Sequence, residues 1–558
     1  MNNWFNSHRQ IFDKAQDACS KRYAWTAYSE SPSSRIHGTE IPLEGKHRFE
    51  SMLGKDYQLE QAGEIGRTGA EVSPYTREPL GITYPKVDSN QLYTAIAQAA
   101  PAWRDTSIET RTGVCLEILD RCAKQLFENA HATMHTAGQS YIMAFAGSGA
   151  NALDRGLEAL VYAYKAMKDI PSSASWERKF GSEAPVKLEK TFKLMPRGVS
   201  VAVCCATFPL WNGYPALMAS LVTANPVVMK PHPSAILPVA LFVSVCKEVL
   251  KEAGFDHNLV SLVADTQEEP ATMALLNHPD TAIIDFTGSP SFGHWIEKNC
   301  LAAQVYTETA GCNSVVIEST DDLQGMAKAI AHSLCQASAQ MCTSVQNIHI
   351  PVGGITENGN NVSFKEVANE IVNAVNEHLA NAKNAAFLCG TLVNDDIFTT
   401  IDRLRAEGEK LGEVLRDSAP YENPGYPNAR TATPLILQVS QNESHLYREE
   451  LFGPISFLIA AEDIDACLAG ATKDAKECGA ITSHVYSTDD DFLDRAQDAF
   501  NNAGASVACN LIGMPINFAA AYSDYHVTGL NPAGNACLSD LAFVASRFRV
   551  VQRKIMVS

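Results

Sequence analysis

Three residues of this 558-residue chain invite a chemical reading: Cys342 in AQMCTSV, Glu308 in TETAGCN and Glu450 in YREELFGPISF. A thiol with small neighbours can attack a carbonyl carbon, because Ala, Ser and Thr leave room for a substrate beside the sulfur. A core cysteine is more often flanked by bulky apolar side chains, and with 15 cysteines in the chain most must simply fill space. Glu308 follows the short strand pattern QVYT and precedes a loop ending in Gly311. A carboxylate at the carboxyl end of a parallel strand can be raised in pKa by burial and act as a general base, although an isolated case is more often a solvated loop residue. Glu449-Glu450 stand ahead of Leu451-Phe452-Gly453-Pro454. That pairing of carboxylate and ring can hold a sugar hydroxyl and wedge a flat ring, or it is a surface acidic pair before a strand. In DFTGSPSFGHWIEKN an apolar strand runs into Thr287-Gly288-Ser289, then Gly293 and a helix. Free N–H groups at such a helix start can meet phosphate, but GSxxxG is not the GxGxxG fingerprint and is weak evidence alone.

These residues need elements to position them. From Gly198 to Gly311 the stretches SVAVCC, PVVMK, LVSLVA, TAIIDF and QVYTE read as strands, with helical runs such as PVALFVSVCKEVLKEAG between several of them. That alternation predicts a parallel sheet covered by helices, the usual platform for a nucleotide. Residues 312–520 alternate in the same way. A helix leads toward Cys342, with Ser319 or Thr320 as its cap, Asp321 and Asp322 in its first turn, and Leu323, Met326, Ile330 and Leu334 as its buried stripe. The small, polar ASAQ then breaks the stripe just before Met341-Cys342-Thr343. Residues 30–90, rich in Gly, Pro, Ser and Glu, read as irregular structure, and 90–167 as helical. Residues 169–193, polar and broken by Pro171 and Pro185, read as a projecting hairpin.

Bulk composition narrows the partners. A formal net charge of −19 repels phosphate backbones and anionic membranes. The charge-free run from Gly198 to Met229 has the length of a membrane span, but Pro209, Gly213, Pro215 and Pro226 break it, so strand, turn, helix and strand is the better reading. The polar start MNNWFNSHRQIFDKAQD is no secretory signal. An odd number of scattered cysteines without C-x-x-C fits reduced thiols in the cytoplasm. HExxH and GxSxG are absent, and no residues are singled out as metal ligands.

Taken in order, FTGS, Glu308, Cys342 and EELFGP, together with VVMKP at 227–231, resemble the aldehyde dehydrogenase superfamily. Glu308 precedes Cys342 by 34 positions, the interval that family keeps between its general base and its nucleophile. A closer resemblance over nearly the full length is to the PaaN proteins of phenylacetate degradation. It is carried by SPYTREPLGITYP (73–85), HTAGQSYIMAF (135–145), TFPLWNGYPAL (207–217) and MKPHPSAILP (229–238). The resemblance implies an α/β fold with a Rossmann-type cofactor domain, an α/β catalytic domain and an oligomerisation arm. The expected boundaries are an N-terminal extension over 1–75, a dinucleotide-binding domain over 76–310 (its hairpin near 169–193), a catalytic domain over 311–521 and a C-terminal return over 522–558. FRVVQRKIMV at 548–557 and the hairpin are candidates for pairing subunits into a homodimer or homotetramer.

The implied reaction is NAD(P)-dependent oxidation of an aldehyde to an acid, with a ring-opened, CoA-linked semialdehyde as the substrate that the PaaN resemblance points to. Cys342 is the expected nucleophile and Glu308 the base that activates water. Lys230 is expected at the adenosine ribose, Gly288, Ser289 and Gly293 at the pyrophosphate, and Glu450 and Phe452 at the nicotinamide ribose and ring. The sequence departs from the family at the oxyanion donor, where most relatives carry Asn and this chain has Thr207; the hydroxyl of Thr207 or the amide of Asn212 is expected to replace it. NAD-preferring relatives often carry a glutamate three positions after the lysine. Here Pro233 follows His232, so a 2′-phosphate meets no repulsion and can contact Lys230 or His232, which favours NADP over NAD. Two alternatives stay open: release of the acyl group to coenzyme A, which Glu308 disfavours, and a non-catalytic member binding a nucleotide or CoA ester.

Overall fold

The structure, a computed structural model, describes residues 3–557 except 310, 527, 529, 532–536, 538 and 539. Two sheets with parallel strands organise it. The first has five strands in the order Val260–Leu262, Val227–Lys230, Val199–Val203, Thr281–Gly288 and Gln304–Thr309, all parallel. Its apolar strands are buried on both faces. Val227 and Met229 join the core beneath the helices Gly213–Val222 and Leu237–Glu252, while Val228 points to the opposite cluster with Leu275 and Ile296. The chain moves outward from Val199–Val203 in one direction, then returns to its other side at Thr281–Gly288. Ligands of open α/β sheets bind at the carboxyl edge of such a reversal, and there lie the loop 204–212 and Ser289.

The second sheet has seven strands in the order Gly412–Arg416, Leu435–Ser440, Ile455–Ala461, Asn347–Pro351, Ser314–Ile317, Ser483–Tyr486 and Val507–Cys509, parallel except for the first pair. It meets the first sheet through the segments that precede its strands: residues 336–346 lead into Asn347–Pro351, and 449–454 into Ile455–Ala461. A third, antiparallel sheet joins Ser173–Arg178, Val186–Pro196 and the C-terminal Phe548–Val557, so the expected hairpin and the C-terminal return form one arm. Among the described residues no helix is long and apolar enough to cross a membrane, and the charge-free run is a strand, a helix and a strand. All 15 cysteines are free thiols.

Two local expectations need correction. Residues 30–90 are not all irregular, because Glu40–Met52 is a thirteen-residue helix. Its Pro42 sits in the first turn, where the missing N–H has no intrahelical acceptor, and Gly45 lets it press onto the helix Leu126–Ala137, since a Cβ there would lie 2.5 Å from Phe127 Cβ. The helix before Cys342, Leu323–Cys335, is capped by Asp322, whose carboxylate accepts from the Gly325 N–H at 2.8 Å. Ser319 and Thr320 lie instead in a two-residue strand that pairs with Ile355–Glu357.

Candidate active site

Cys342 stands on a loop held under tension. The segment that breaks the helical stripe places Ala337, Ser338 and Ala339 at φ of 51°, 53° and 51°, a left-handed run that costs roughly 1–2 kcal/mol per residue for side-chain-bearing positions. The surroundings hold it. Ser338 Oγ donates to the Cys389 carbonyl at 3.1 Å, Gln340 Nε2 donates to that of Thr391 at 2.9 Å, and Gln340 Oε1 accepts from the Val393 N–H at 2.9 Å. Beyond the turn, Asn313 Nδ2 donates to the carbonyls of Cys342 (2.8 Å) and Ser344 (2.9 Å), while its Oδ1 accepts from the N–H groups of Ile481 and Thr482. Asn313 thus ties the loop of Cys342 to the neighbouring chain segment at Ile481 and Thr482. Sequence reasoning passed over it, although it closes the TETAGCN motif.

Glu308, near the end of Gln304–Thr309, is 1% exposed. Its Oε1 accepts from Asn212 Nδ2 at 3.2 Å and faces His526 Nε2 at 2.9 Å, and that same Nε2 lies 3.4 Å from Cys342 Sγ. The three reactive atoms lie within 4.8 Å of one another. His526 is the member of this cluster that the sequence did not reveal; YSDYHVTG has no periodicity or motif that marks it. Burial, followed by the charges of Glu308, Cys205 and Glu450, holds the Cys342 thiol well above its ordinary pKa.

Cys342 lines two cavities. One is a cleft of about 730 Å³ walled by Thr207, Asn212, Lys230, His232, Pro233, Gly288, Ser289, Glu308, Glu450 and Phe452. It lies at the reversal point of the first sheet and has the size, with a few polar groups on largely apolar walls, to take a dinucleotide. Glu450 makes no hydrogen bond among the described residues, and burial pushes its carboxyl up to about 8, as suits a group that awaits hydroxyl donors. Phe452 is held at φ 45°, a strained geometry of the kind that collects at ligand clamps. The structure puts both oxyanion candidates on this wall. The Asn212 amide already donates to Thr287 Oγ1 at 2.7 Å as well as to Glu308, whereas the Thr207 carbonyl is fixed by Gln139 Nε2.

Three cofactor expectations look different in the structure. Gly293 does not line the cleft: a Cβ there would lie 2.5 Å from Thr309 Cγ2, so the glycine lets the helix Pro290–Asn299 press onto the sheet. Lys230 is buried, and its ammonium donates to Asp265 Oδ1 at 2.7 Å and to the Pro231 carbonyl. Burial, then the neighbouring Lys230, pulls His232 down to about 4, so it is neutral near pH 7.

The second cavity, about 170 Å³, meets Cys342 from the other side. Its apolar walls include Ile142, Met143, Phe208, Trp211, Met341 and Phe518, and no Lys or Arg lines it among the described residues. Part of this wall is a π-helical turn, Ala146–Asn151, an irregularity frequent at functional sites.

Known proteins resemble this chain in sequence and fold. The family model described as "Aldehyde dehydrogenase family" matches residues 62–515. A crystal structure of an NAD-dependent aldehyde dehydrogenase from Burkholderia multivorans superposes with a TM-score of 0.95 at 42% identity, covering 100% of this chain and 99% of that one. A 1-pyrroline-5-carboxylate dehydrogenase from Bacillus mycoides is 26% identical over 476 residues, 82% of this chain and 86% of its own length. The 1-pyrroline-5-carboxylate dehydrogenase from Thermus, solved with bound NAD, shares the fold with a TM-score of 0.74 at 17% identity, covering 96% of this chain and 99% of that one.

Proposed function

The chain belongs to the aldehyde dehydrogenase family, and on that premise we propose that it oxidises an apolar-bodied aldehyde to the carboxylic acid with a nicotinamide dinucleotide. One observation carries the reading: Cys342 lines both the larger cleft and the smaller apolar channel, with Glu308 beside it. An aldehyde entering by the channel meets the sulfur at the point where a cofactor ring can approach from the cleft. Cys342 adds to the carbonyl, and the hydroxyl of Thr207, on the same cleft wall, is the candidate donor to the resulting oxyanion, because the Asn212 amide is engaged by Glu308 and Thr287. The bound dinucleotide supplies a hydride acceptor. Glu308 then takes the proton of the water that hydrolyses the thioester, which favours free acid over coenzyme A ester as product.

For the cofactor we favour NAD, against the expectation from sequence. The Lys230 ammonium is paired with Asp265, His232 is uncharged near neutral pH, and the Asp265 carboxylate would repel a 2′-phosphate brought to Lys230. The channel supports the substrate class. A carboxylate next to the reacting carbon would find no Lys or Arg among its described lining residues, whereas a hydrocarbon body is enclosed. A ring-opened, CoA-linked semialdehyde of phenylacetate degradation belongs to this class at its aldehyde end. Initial rates with a panel of aromatic, aliphatic, carboxylated and CoA-linked aldehydes, each with NAD and NADP, test the reading against a Cys342→Ala control. Reduced cofactor from apolar aldehydes with NAD, lost in the control, is the expected result. No turnover of any aldehyde, or turnover that survives Cys342→Ala, defeats it. The arm of Ser173–Arg178, Val186–Pro196 and Phe548–Val557 is the proposed oligomerisation surface, with Val550, Val551, Ile555 and Met556 exposed along its C-terminal strand. Removal of 548–557 is expected to yield a monomer in sedimentation.

A further inference from the structure

We infer that His526 is a catalytic residue, the base that removes the proton of the Cys342 thiol and keeps the nucleophile as a thiolate–imidazolium pair. The inference rests on the aldehyde-oxidation reading above and adds to it a group outside the usual cysteine–glutamate pair.

The geometry is specific. A single ring nitrogen, Nε2, lies 3.4 Å from Sγ and 2.9 Å from Glu308 Oε1. The imidazole is 2% exposed, and Trp211 packs against it with ring centroids 5.3 Å apart. Nδ1 has no hydrogen-bond partner among the described residues. In the tautomer with its proton on Nδ1, the Nε2 lone pair faces the thiol at 3.4 Å and also the Glu308 carboxylate at 2.9 Å, a repulsion that a proton arriving on Nε2 turns into a hydrogen bond. Transfer of the S–H proton to Nε2 breaks one S–H bond, makes one N–H bond and leaves the charge of the Cys–His–Glu group at minus one. The new N–H then lies between the thiolate and the Glu308 carboxylate, a charge-assisted contact on both sides. When the thioester is later hydrolysed, the sulfur leaves as a thiolate already paired with the imidazolium. His526 therefore need not shed its proton between turnovers, and Glu308 remains free to take the proton of water.

The need for such a base is on the page as well. The sulfur is surrounded by burial and by Glu308, Cys205 and Glu450, all of which oppose ionisation. Among the described residues, the other charged groups around the imidazole include Glu158, which is ion-paired with Arg155 at 3.2 Å, Arg155 itself, which lies over the Trp211 ring, and Glu30 in the channel wall. An imidazolium in this position is thus flanked by carboxylates on more sides than by cations.

His526 is also held in place. Three buried charged side chains on the helix Ala152–Lys168 grip the segment just before it. Asp154 Oδ1 accepts from the Tyr522 hydroxyl at 2.6 Å, Glu158 Oε2 accepts from the Tyr522 N–H at 2.6 Å, and Arg155 donates to the carbonyls of Ala519 (3.3 Å) and Asp524 (3.1 Å). A catalytic imidazole on a loop requires such support, because sub-ångström placement decides whether it accepts the proton.

The test reads the thiol directly and needs no aldehyde. Iodoacetamide labelling of Cys342, followed by peptide mass spectrometry across pH, is compared in the parent and in His526→Gln. The variant is expected to label about 100-fold more slowly at pH 7, approaching the parent only at alkaline pH. Its NAD affinity and unfolding midpoint should stay at parental values. Superimposable pH profiles in parent and variant overturn the inference. If His526→Gln does not fold, His526→Ala with added imidazole replaces it, the adjoining channel giving imidazole a way in. Imidazole-dependent acceleration of labelling in that variant but not in the parent supports the base; none overturns it. Failure here leaves aldehyde oxidation standing, whereas a parent that oxidises no aldehyde defeats the earlier reading whatever the labelling shows.

Discussion

The two cavities that meet at Cys342 are built in different ways. The larger cleft takes its walls from chain that has just left a parallel strand: Lys230, Gly288, Ser289 and Glu308 each end or follow an apolar run of the first sheet. Strand register delivers them to one edge, and the reversal of strand order opens the crevice they line. The channel takes its walls from a π-helical turn, from the loop ahead of Gly213–Val222 and from residues 515–526, a stretch with no helix or strand of its own. Its geometry is fixed by buried charge over long distances in sequence. Tyr522 and Asp154, for example, bond across 368 residues. A sheet edge places side chains by local pattern, whereas this loop is placed by its anchors, so damage to the two walls should appear in different measurements.

The largest effects belong to the residues both sides share. Cys342→Ala is expected to lower aldehyde oxidation by on the order of 10⁴-fold or more, with NAD binding intact by calorimetry. Glu308→Gln should release one equivalent of reduced cofactor in a burst and then turn over roughly 10²–10⁴-fold more slowly. A variant with no burst would place Glu308 before hydride transfer instead. Next comes the channel's anchor. Arg155→Met leaves Glu158 buried without its cation, a loss of about 3–5 kcal/mol that should lower the unfolding midpoint. It should also raise the KM for aldehyde while leaving the KM for NAD near the parent value. Equal damage to both constants would break the distinction between the two walls.

The same distinction explains what could be read from sequence. The five strands of the cofactor sheet were legible because each is a short apolar run bounded by turn residues, and the α/β fold follows from their alternation with helices. Cys342 stood out through its small neighbours, and the family's spacing joined it to Glu308. His526 was not legible, because histidine in a loop carries no periodic signal and its meaning comes only from Cys342 and Glu308 folding against it. Asn313 and the trio Asp154, Arg155 and Glu158 escaped for the same reason: polar groups on apolar elements read as exposed until their long-range partners are known. Pro42 and Gly45 misled in the other direction. They read as breakers in composition, yet one occupies a first helical turn and the other a close helix–helix contact.

Gly293 sharpens the comparison from the cofactor side. Its missing Cβ makes room for Thr309, so Gly293→Ala is expected to cost about 2–3 kcal/mol of stability through overpacking. Its effect on the KM for NAD should be no larger than the shift of helix Pro290–Asn299 allows. A KM increase without loss of stability would return Gly293 to the phosphate site.

Glu450→Gln gives the smallest effect and depends on pH. Burial raises this carboxyl from its ordinary value of 4.5 to about 8 in the folded chain, so the folded state keeps a proton that the unfolded chain releases. Its stabilising contribution is therefore fully present below about pH 4.5 and lost as the pH climbs through 8. Above that point the parent carries an ionised carboxylate in an environment that disfavours it, and the glutamine variant does not. Thermal unfolding without cofactor should show parent and variant equal near pH 4. Near pH 8.5 the variant should be more stable, by on the order of 1–2 kcal/mol once the opening of the cleft to solvent is allowed for. The raised carboxyls of Glu71 and Asp154 are present in both proteins and cancel in the difference. With NAD bound the ranking should reverse, because only the parent offers an anionic acceptor to the ribose hydroxyls. If Glu450→Gln is no more stable than the parent at pH 8.5 and binds NAD as tightly, Glu450 is neither strained in the empty cleft nor used in the filled one.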